Sequence, residues 1–145
     1  MTRRRILAWL FGSVSILTIG CAVQGSPFEK VTSPPTTAVI YVYRPYSYFS
    51  SALKPAVTCG EDTARIGPGG YHAFVVPARQ KVICSVNSET YDEVEIRTDA
   101  KVYYIKEEFS WGVLSGHSIL NPKDNDEAQK EIQTCCVQEQ QEPQP

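Results

Sequence analysis

A mainly β fold is what this chain predicts: a single small antiparallel β-sandwich of about seven strands, with one short helix near the C-terminus. Short runs rich in Val, Ile, Tyr and Thr recur through the middle of the chain, separated by Gly- and Pro-containing turn signals. Only one segment carries a helix start, and 145 residues leave room for one ordinary domain once the ends are set aside.

The first strand is Thr37 to Arg44 (TAVIYVYR), apolar almost throughout, as in a strand covered on both faces, and Pro45 ends it. Ala56 to Cys59 and Thr63 to Ile66 are two short strands around Gly60-Glu61-Asp62, and Gly67-Pro68-Gly69-Gly70 is the strongest turn signal in the chain. Tyr71 to Val76 and Lys81 to Val86 flank the corner Pro77-Ala78-Arg79-Gln80 as a hairpin would. Val94 and Ile96 alternate with Glu93, Glu95 and Arg97, the pattern of a half-buried strand, and Val102 to Phe109 is another. Asp124 offers a capping side chain ahead of acidic first-turn residues, so a helical turn or two is expected there.

The N-terminus reads as an export signal. Arg3, Arg4 and Arg5 precede an uncharged apolar run from Ile6 to Gly20. As a helix that run spans roughly 22 Å, short of the ~30 Å hydrocarbon core, which disfavours a permanent membrane span. It closes in Leu17-Thr18-Ile19-Gly20-Cys21, which resembles the bacterial lipobox, with Thr18 where Leu is usual. The resemblance implies removal of residues 1–20 and acylation of Cys21 with palmitate-type chains. Two or three such chains hold a protein at a membrane almost permanently. Ala22 stands where many inner-membrane lipoproteins carry Asp, so the resemblance favours the outer membrane, facing the periplasm.

Residues 21–36 then read as a lipidated tether rich in Pro, Ser and Thr, residues 37–136 as the sandwich domain, and residues 137–145 as a polar, disordered tail. Loss of the basic cluster moves the formal charge from −2 to about −5, and no basic stripe remains for nucleic acid.

Val39-Ile40-Tyr41-Val42-Tyr43-Arg44-Pro45, Ala52-Leu53 and Gly69-Gly70-Tyr71 together resemble an uncharacterised domain family of bacterial envelope lipoproteins, similar in layout to PEGA-type sandwiches. Two turns depart from that pattern: Cys59-Gly60 replaces Asp-Gly, and Pro77-Ala78-Arg79 replaces a Pro-Pro-Gly corner. The family implies no activity.

With Cys21 acylated, four of the five cysteines remain in an oxidising compartment. They allow three connectivities, one of which joins the adjacent Cys135 and Cys136 and ranks low because vicinal Cα atoms sit inside the ordinary disulfide separation. The others tie the C-terminal segment to the sandwich. The PEGA-like layout, which sets the strands of Cys59 and Cys84 side by side, implies a Cys59–Cys84 bridge, with Cys135 and Cys136 free or pairing between chains.

No catalytic or metal constellation is expected, and no cofactor. His72 sits within a strand and His117 in an expected loop, with no ligand spacing between them. Glu107 and Glu108 are strand neighbours and therefore face opposite ways. The aromatic stretch after the first strand is the expected contact surface, with Tyr46, Tyr48 and Phe49 in a loop where aromatic rings suit binding. The expectation is a non-enzymatic, lipid-anchored envelope protein that binds or braces another envelope or cell-wall component. The alternatives are a periplasmic inhibitor or immunity-type lipoprotein and a cryptic hydrolase.

Overall fold

The computed structural model describes residues 25–50, 52–111 and 116–140; the expected signal segment and Cys21 lie outside them. The strands are β1 (Thr37–Arg44), β2 (Ala56–Cys59), β3 (Asp62–Arg65), β4 (Gly70–Pro77), β5 (Lys81–Asn87), β6 (Tyr91–Arg97), β7 (Val102–Trp111), β8 (Gly116–Lys123) and β9 (Val137–Gln138). They form two sheets, a five-stranded one ordered β8-β7-β1-β4-β9 and a four-stranded one ordered β3-β2-β5-β6. Helix α1 (Asn125–Cys135) lies on the outer side of the larger sheet, against β7. The fold is the small β-sandwich that the strand pattern predicts, with two parallel pairs, β1 with β7 and β4 with β9, among otherwise antiparallel ones.

Strand β1 is central, and its two faces explain its composition. Ala38, Ile40 and Val42 join Val57, Phe74, Val86 and Ile105 in the core between the sheets. Val39, Tyr41 and Tyr43 face the other way and pack with Tyr71, Tyr104, Ala128 and Ile132 beneath α1. Covering both faces removes the need for polar alternation, so the run reads as continuously apolar.

Parts of the segments expected as tether and tail, residues 26–31 and 137–139, are docked on the domain. Phe28 packs edge-on against Tyr41 and Tyr71 at 5.1 and 5.3 Å, and Pro27 bridges to Val137. The Tyr41 hydroxyl accepts from Val31 N at 2.7 Å. Segment 26–31 therefore covers part of the outer aromatic layer instead of hanging free. At the other end β9 extends the larger sheet, and buried Glu139 accepts hydrogen bonds from Gly67 N and Lys54 Nζ, both at 2.9 Å. Composition alone marks these residues as unable to order themselves; paired to β4 and to Gly67, they have partners.

Two further differences concern secondary structure. His117 lies in β8, not in a loop, and α1 runs to eleven residues, longer than a turn or two. Asp124 caps it, its side chain accepting from Asp126 N and Glu127 N, while Ala128 and Ile132 form its buried stripe. At the Pro77–Gln80 corner, Arg79 takes a φ of 62°. Thr98 holds that corner, since Arg79 N donates to Thr98 O at 2.9 Å and the Thr98 hydroxyl donates to Pro77 O at 2.9 Å.

Cys59 and Cys84 face each other in the β2–β5 register with their sulfurs at 2.06 Å, at disulfide distance. Cys135 and Cys136 are also joined, at 1.99 Å, where the low-ranked vicinal pairing stood. This pair falls where α1 ends and the chain turns extended at Cys136, φ −136° and ψ 145°.

Candidate functional site

The end of the sandwich where β1 stops carries the site, and its logic begins with strand periodicity. Arg44 follows Ala38, Ile40 and Val42 on the inward face of β1, and Glu107 follows Ile105 on the inward face of β7. The parallel register pairs Tyr43 with Lys106, so Arg44 and Glu107 fall at neighbouring positions along it. The row that is apolar along most of the core ends in a charged pair, Arg44 1% and Glu107 2% exposed.

Arg44 is occupied with backbone carbonyls. Its Nη1 donates to Leu53 O at 2.8 Å and Ile66 O at 3.3 Å, and its Nη2 donates to Ser50 O at 3.0 Å. One buried side chain thus ties Ser50, at the end of the one-turn 3-10 helix Tyr48–Ser50, and Leu53 to β1 and to Ile66 beyond β3. What remains for Glu107 is a distant approach, Nη1 to Oε1 at 3.8 Å. Ser118 Oγ donates to that same Oε1 at 2.8 Å, while Glu107 Oε2 has no hydrogen-bond partner. Burial, only partly offset by the Arg44 charge and the Ser118 hydrogen bond, pushes the Glu107 carboxyl up to about 7.

Above this pair opens a cleft of about 460 Å³, lined among others by Arg44, Tyr46, Ser50, Glu107, Phe109 and Ile119. Ser50 Oγ is the second buried polar atom here without a partner. Buried polar groups are nearly always satisfied, so two unsatisfied ones lining one cleft mark it as a place for a ligand group or water.

Of the aromatic residues expected as a contact surface, Tyr46 is 54% and Tyr48 78% exposed on the fastened connection. Phe49 shares their 3-10 turn, and its side chain lies outside what is described. Glu108 points away from Glu107, towards Lys106 and Asn121. The histidines do not join the cleft. His72 Nε2 lies 3.4 Å from Asp62 Oδ2 and its ring packs edge-on against Phe74, while His117 pairs across to Ser110. Among the described residues no group of three potential metal ligands converges, and no helix is long and apolar enough to cross a membrane.

Sequence reading passes over Ser50 and Ser118, and it takes Arg44 only as the end of a strand and Glu107 only as one of two carboxylates on opposite faces. The signal that finds two of them is the period-two row itself, since Arg44 and Glu107 continue apolar faces on which a charge needs a partner. Comparison of the chain with protein-family models, curated proteins and solved structures gave no match.

Proposed function

We propose that this chain is a non-enzymatic, lipid-anchored protein of the bacterial envelope that binds or braces another envelope component through the end of the sandwich carrying Tyr46 and Tyr48. The observation that carries the reading is the Arg44 clamp. By holding Ser50, Leu53 and Ile66 carbonyls at once it fixes a connection whose aromatic rings face solvent. An aromatic surface already held in place loses little conformational entropy on contact, which is what a binding loop needs.

Anchoring is supported by the basic cluster, the apolar run and Gly20-Cys21. The docked segment adds to it. From Cys21 to Ser26, where the chain meets β9 through Gln138 N at 2.8 Å, an extended backbone reaches no more than about 17 Å, so an acylated Cys21 would hold the domain close to the bilayer. Closeness of that kind suits bracing better than a long swing.

The test has two arms. In a bacterium expressing the full chain, Cys21→Ser should release it from the membrane fraction or leave it unprocessed, and unchanged size and fractionation would end the anchor reading. Tyr46→Ala with Tyr48→Ala should abolish the crosslinked species formed in intact envelopes while the protein stays folded and anchored. An unchanged crosslinking pattern would move the contact surface elsewhere.

A further inference from the structure

We infer that the cleft beside the Tyr46 connection is a recognition site for a primary ammonium group on an aliphatic stem, received by Glu107 Oε2 and Ser50 Oγ. The inference deepens the binding reading above, and rests on it for the identity of the contact end, by naming the chemistry recognised there.

Two buried oxygens of the residues that line the cleft have no partner, while its cations are engaged, Lys106 with Glu108 and Glu131 and Arg44 with carbonyls. Both terminal nitrogens of Arg44 donate to carbonyls, three in all, so the guanidinium offers little to an incoming anion. Glu107 Oε1 is taken by Ser118, but Oε2 is buried with no partner, as is Ser50 Oγ. A carboxylate oxygen and a hydroxyl oxygen both accept, and an ammonium supplies three donors from one atom. A carboxylate or phosphate ligand would instead meet the Glu107 charge.

The walls suit the stem. Phe109 and Ile119 line the cleft, Phe109 braced edge-on by Trp111 at 5.3 Å, and the half-exposed Tyr46 ring stands at the same cleft. An ammonium near an aromatic ring gains a further attraction from the ring face.

The charged groups around Glu107 set the pH response. From β1 comes Arg44; from its own strand Lys106 and Glu108, which stand at the rim of the cleft, paired with each other, Lys106 also paired with Glu131; from β8 only the neutral Ser118. The charge of Glu139 also acts on Arg44. With its carboxyl pushed up to about 7, unliganded Glu107 is partly protonated at neutral pH, and a bound ammonium stabilises the carboxylate. Binding therefore releases a proton near neutrality and weakens roughly tenfold for each pH unit below the Glu107 midpoint.

The experiment is a titration of the full, isotope-labelled chain in mild detergent with n-butylammonium, n-butanol and butyrate, read from the backbone resonances of Ser50, Glu107 and Ile119. Saturable shifts with n-butylammonium are expected, roughly tenfold weaker binding of n-butanol, and the stated fall in affinity towards acid. Glu107→Gln should weaken n-butylammonium by roughly tenfold and remove the pH dependence. Ser50→Ala, which leaves the Arg44–Glu107 pair in place, should weaken it severalfold without altering the pH dependence. Butyrate binding more tightly than n-butylammonium, or no saturable shift with any probe, overturns the proposal. Nα-acetyl-lysine amide compared with n-butylammonium separates a polypeptide side chain from a free amine as the source. Failure here with envelope crosslinks still dependent on Tyr46 and Tyr48 would remove the ammonium site alone; loss of those crosslinks would remove the binding surface.

Discussion

Glu107 and Glu131 are two carboxylates beside cations on opposite sides of the same sheet, and their protons are held in opposite ways. Glu107 lies between the sheets, with Arg44 Nη1 at 3.8 Å and one oxygen without a partner, and its carboxyl is pushed up to about 7. Glu131, on α1 and part exposed, accepts from Lys106 Nζ at 2.5 Å and from the Tyr43 hydroxyl at 2.7 Å. Burial pushes the Glu131 carboxyl up as well, but the hydrogen bonds from Lys106 and Tyr43 and the charges of Lys106 and Lys123 outweigh it and hold it below the ordinary value. A nearby opposite charge does not by itself keep a buried carboxylate ionised. The outcome turns on whether the cation's hydrogens reach the carboxylate, and those of Arg44 are engaged by carbonyls.

The strongest way to break the comparison is to remove Arg44. Arg44→Met keeps much of the side-chain volume but strands the carbonyls of Ser50, Leu53 and Ile66 and leaves Glu107 without its counter-charge. Removing one partner of a buried pair costs about 3 to 5 kcal/mol, so urea unfolding should shift by that order. In Arg44→Met with Glu107→Gln a substantial part of the loss should return, because no charge is then left buried alone. A double variant as unstable as the single one would mean that the carbonyl contacts, not the ion pair, dominate.

The pH response is next in size. Glu107 binds its proton more tightly in the folded than in the unfolded chain, so its contribution is fully present below the ordinary carboxylate range and is lost as pH rises through about 7. The melting temperature should fall by roughly 5 °C or more between pH 5 and pH 8, and Glu107→Gln should flatten that limb. A limb unchanged in Glu107→Gln would assign it to another group.

How much of this was legible in the sequence depended on where each strand sits. Strands β1, β4, β5, β6 and β7 announce themselves because each contributes at least one apolar row to a core. Strand β8 does not. It is an edge strand, it carries Pro122, and its sequence is largely polar, all of which an edge tolerates. Its Ser118 and Leu120 N–H groups are met by the Ser88 hydroxyl and the Asp92 carboxylate at 3.2 and 2.8 Å, contacts that no local pattern encodes. The same holds for Glu139, a buried residue in a run that looks like a polar tail, because its partners Lys54 and Gly67 are distant in the chain. At the site, Tyr46 and Tyr48 were visible as loop aromatics after Pro45, whereas the clamp beneath them needed the β1–β7 register to bring Arg44 to Glu107.

The smallest expected effect sharpens the comparison from the other side. Glu131→Gln removes a carboxylate that holds Lys106 and Tyr43 together over β7 and β1, but Lys106 and Glu131 are part exposed, so water can replace much of what they lose, and the glutamine oxygen still offers an acceptor to the buried Tyr43 hydroxyl. A loss of about 1 kcal/mol is expected near neutral pH, measured by urea unfolding. The sign of its pH dependence is opposite to that of Glu107. A carboxyl held below its ordinary value contributes stability that is present above the unfolded value and is lost as pH falls through the folded one. Wild-type protein should therefore lose stability on both sides, through Glu131 below the carboxylate range and through Glu107 towards pH 8. Glu131→Gln should flatten only the acid limb and Glu107→Gln only the neutral one. If either substitution flattens both limbs, the two carboxylates titrate as one coupled system across β7 instead of as separate sites on its two faces.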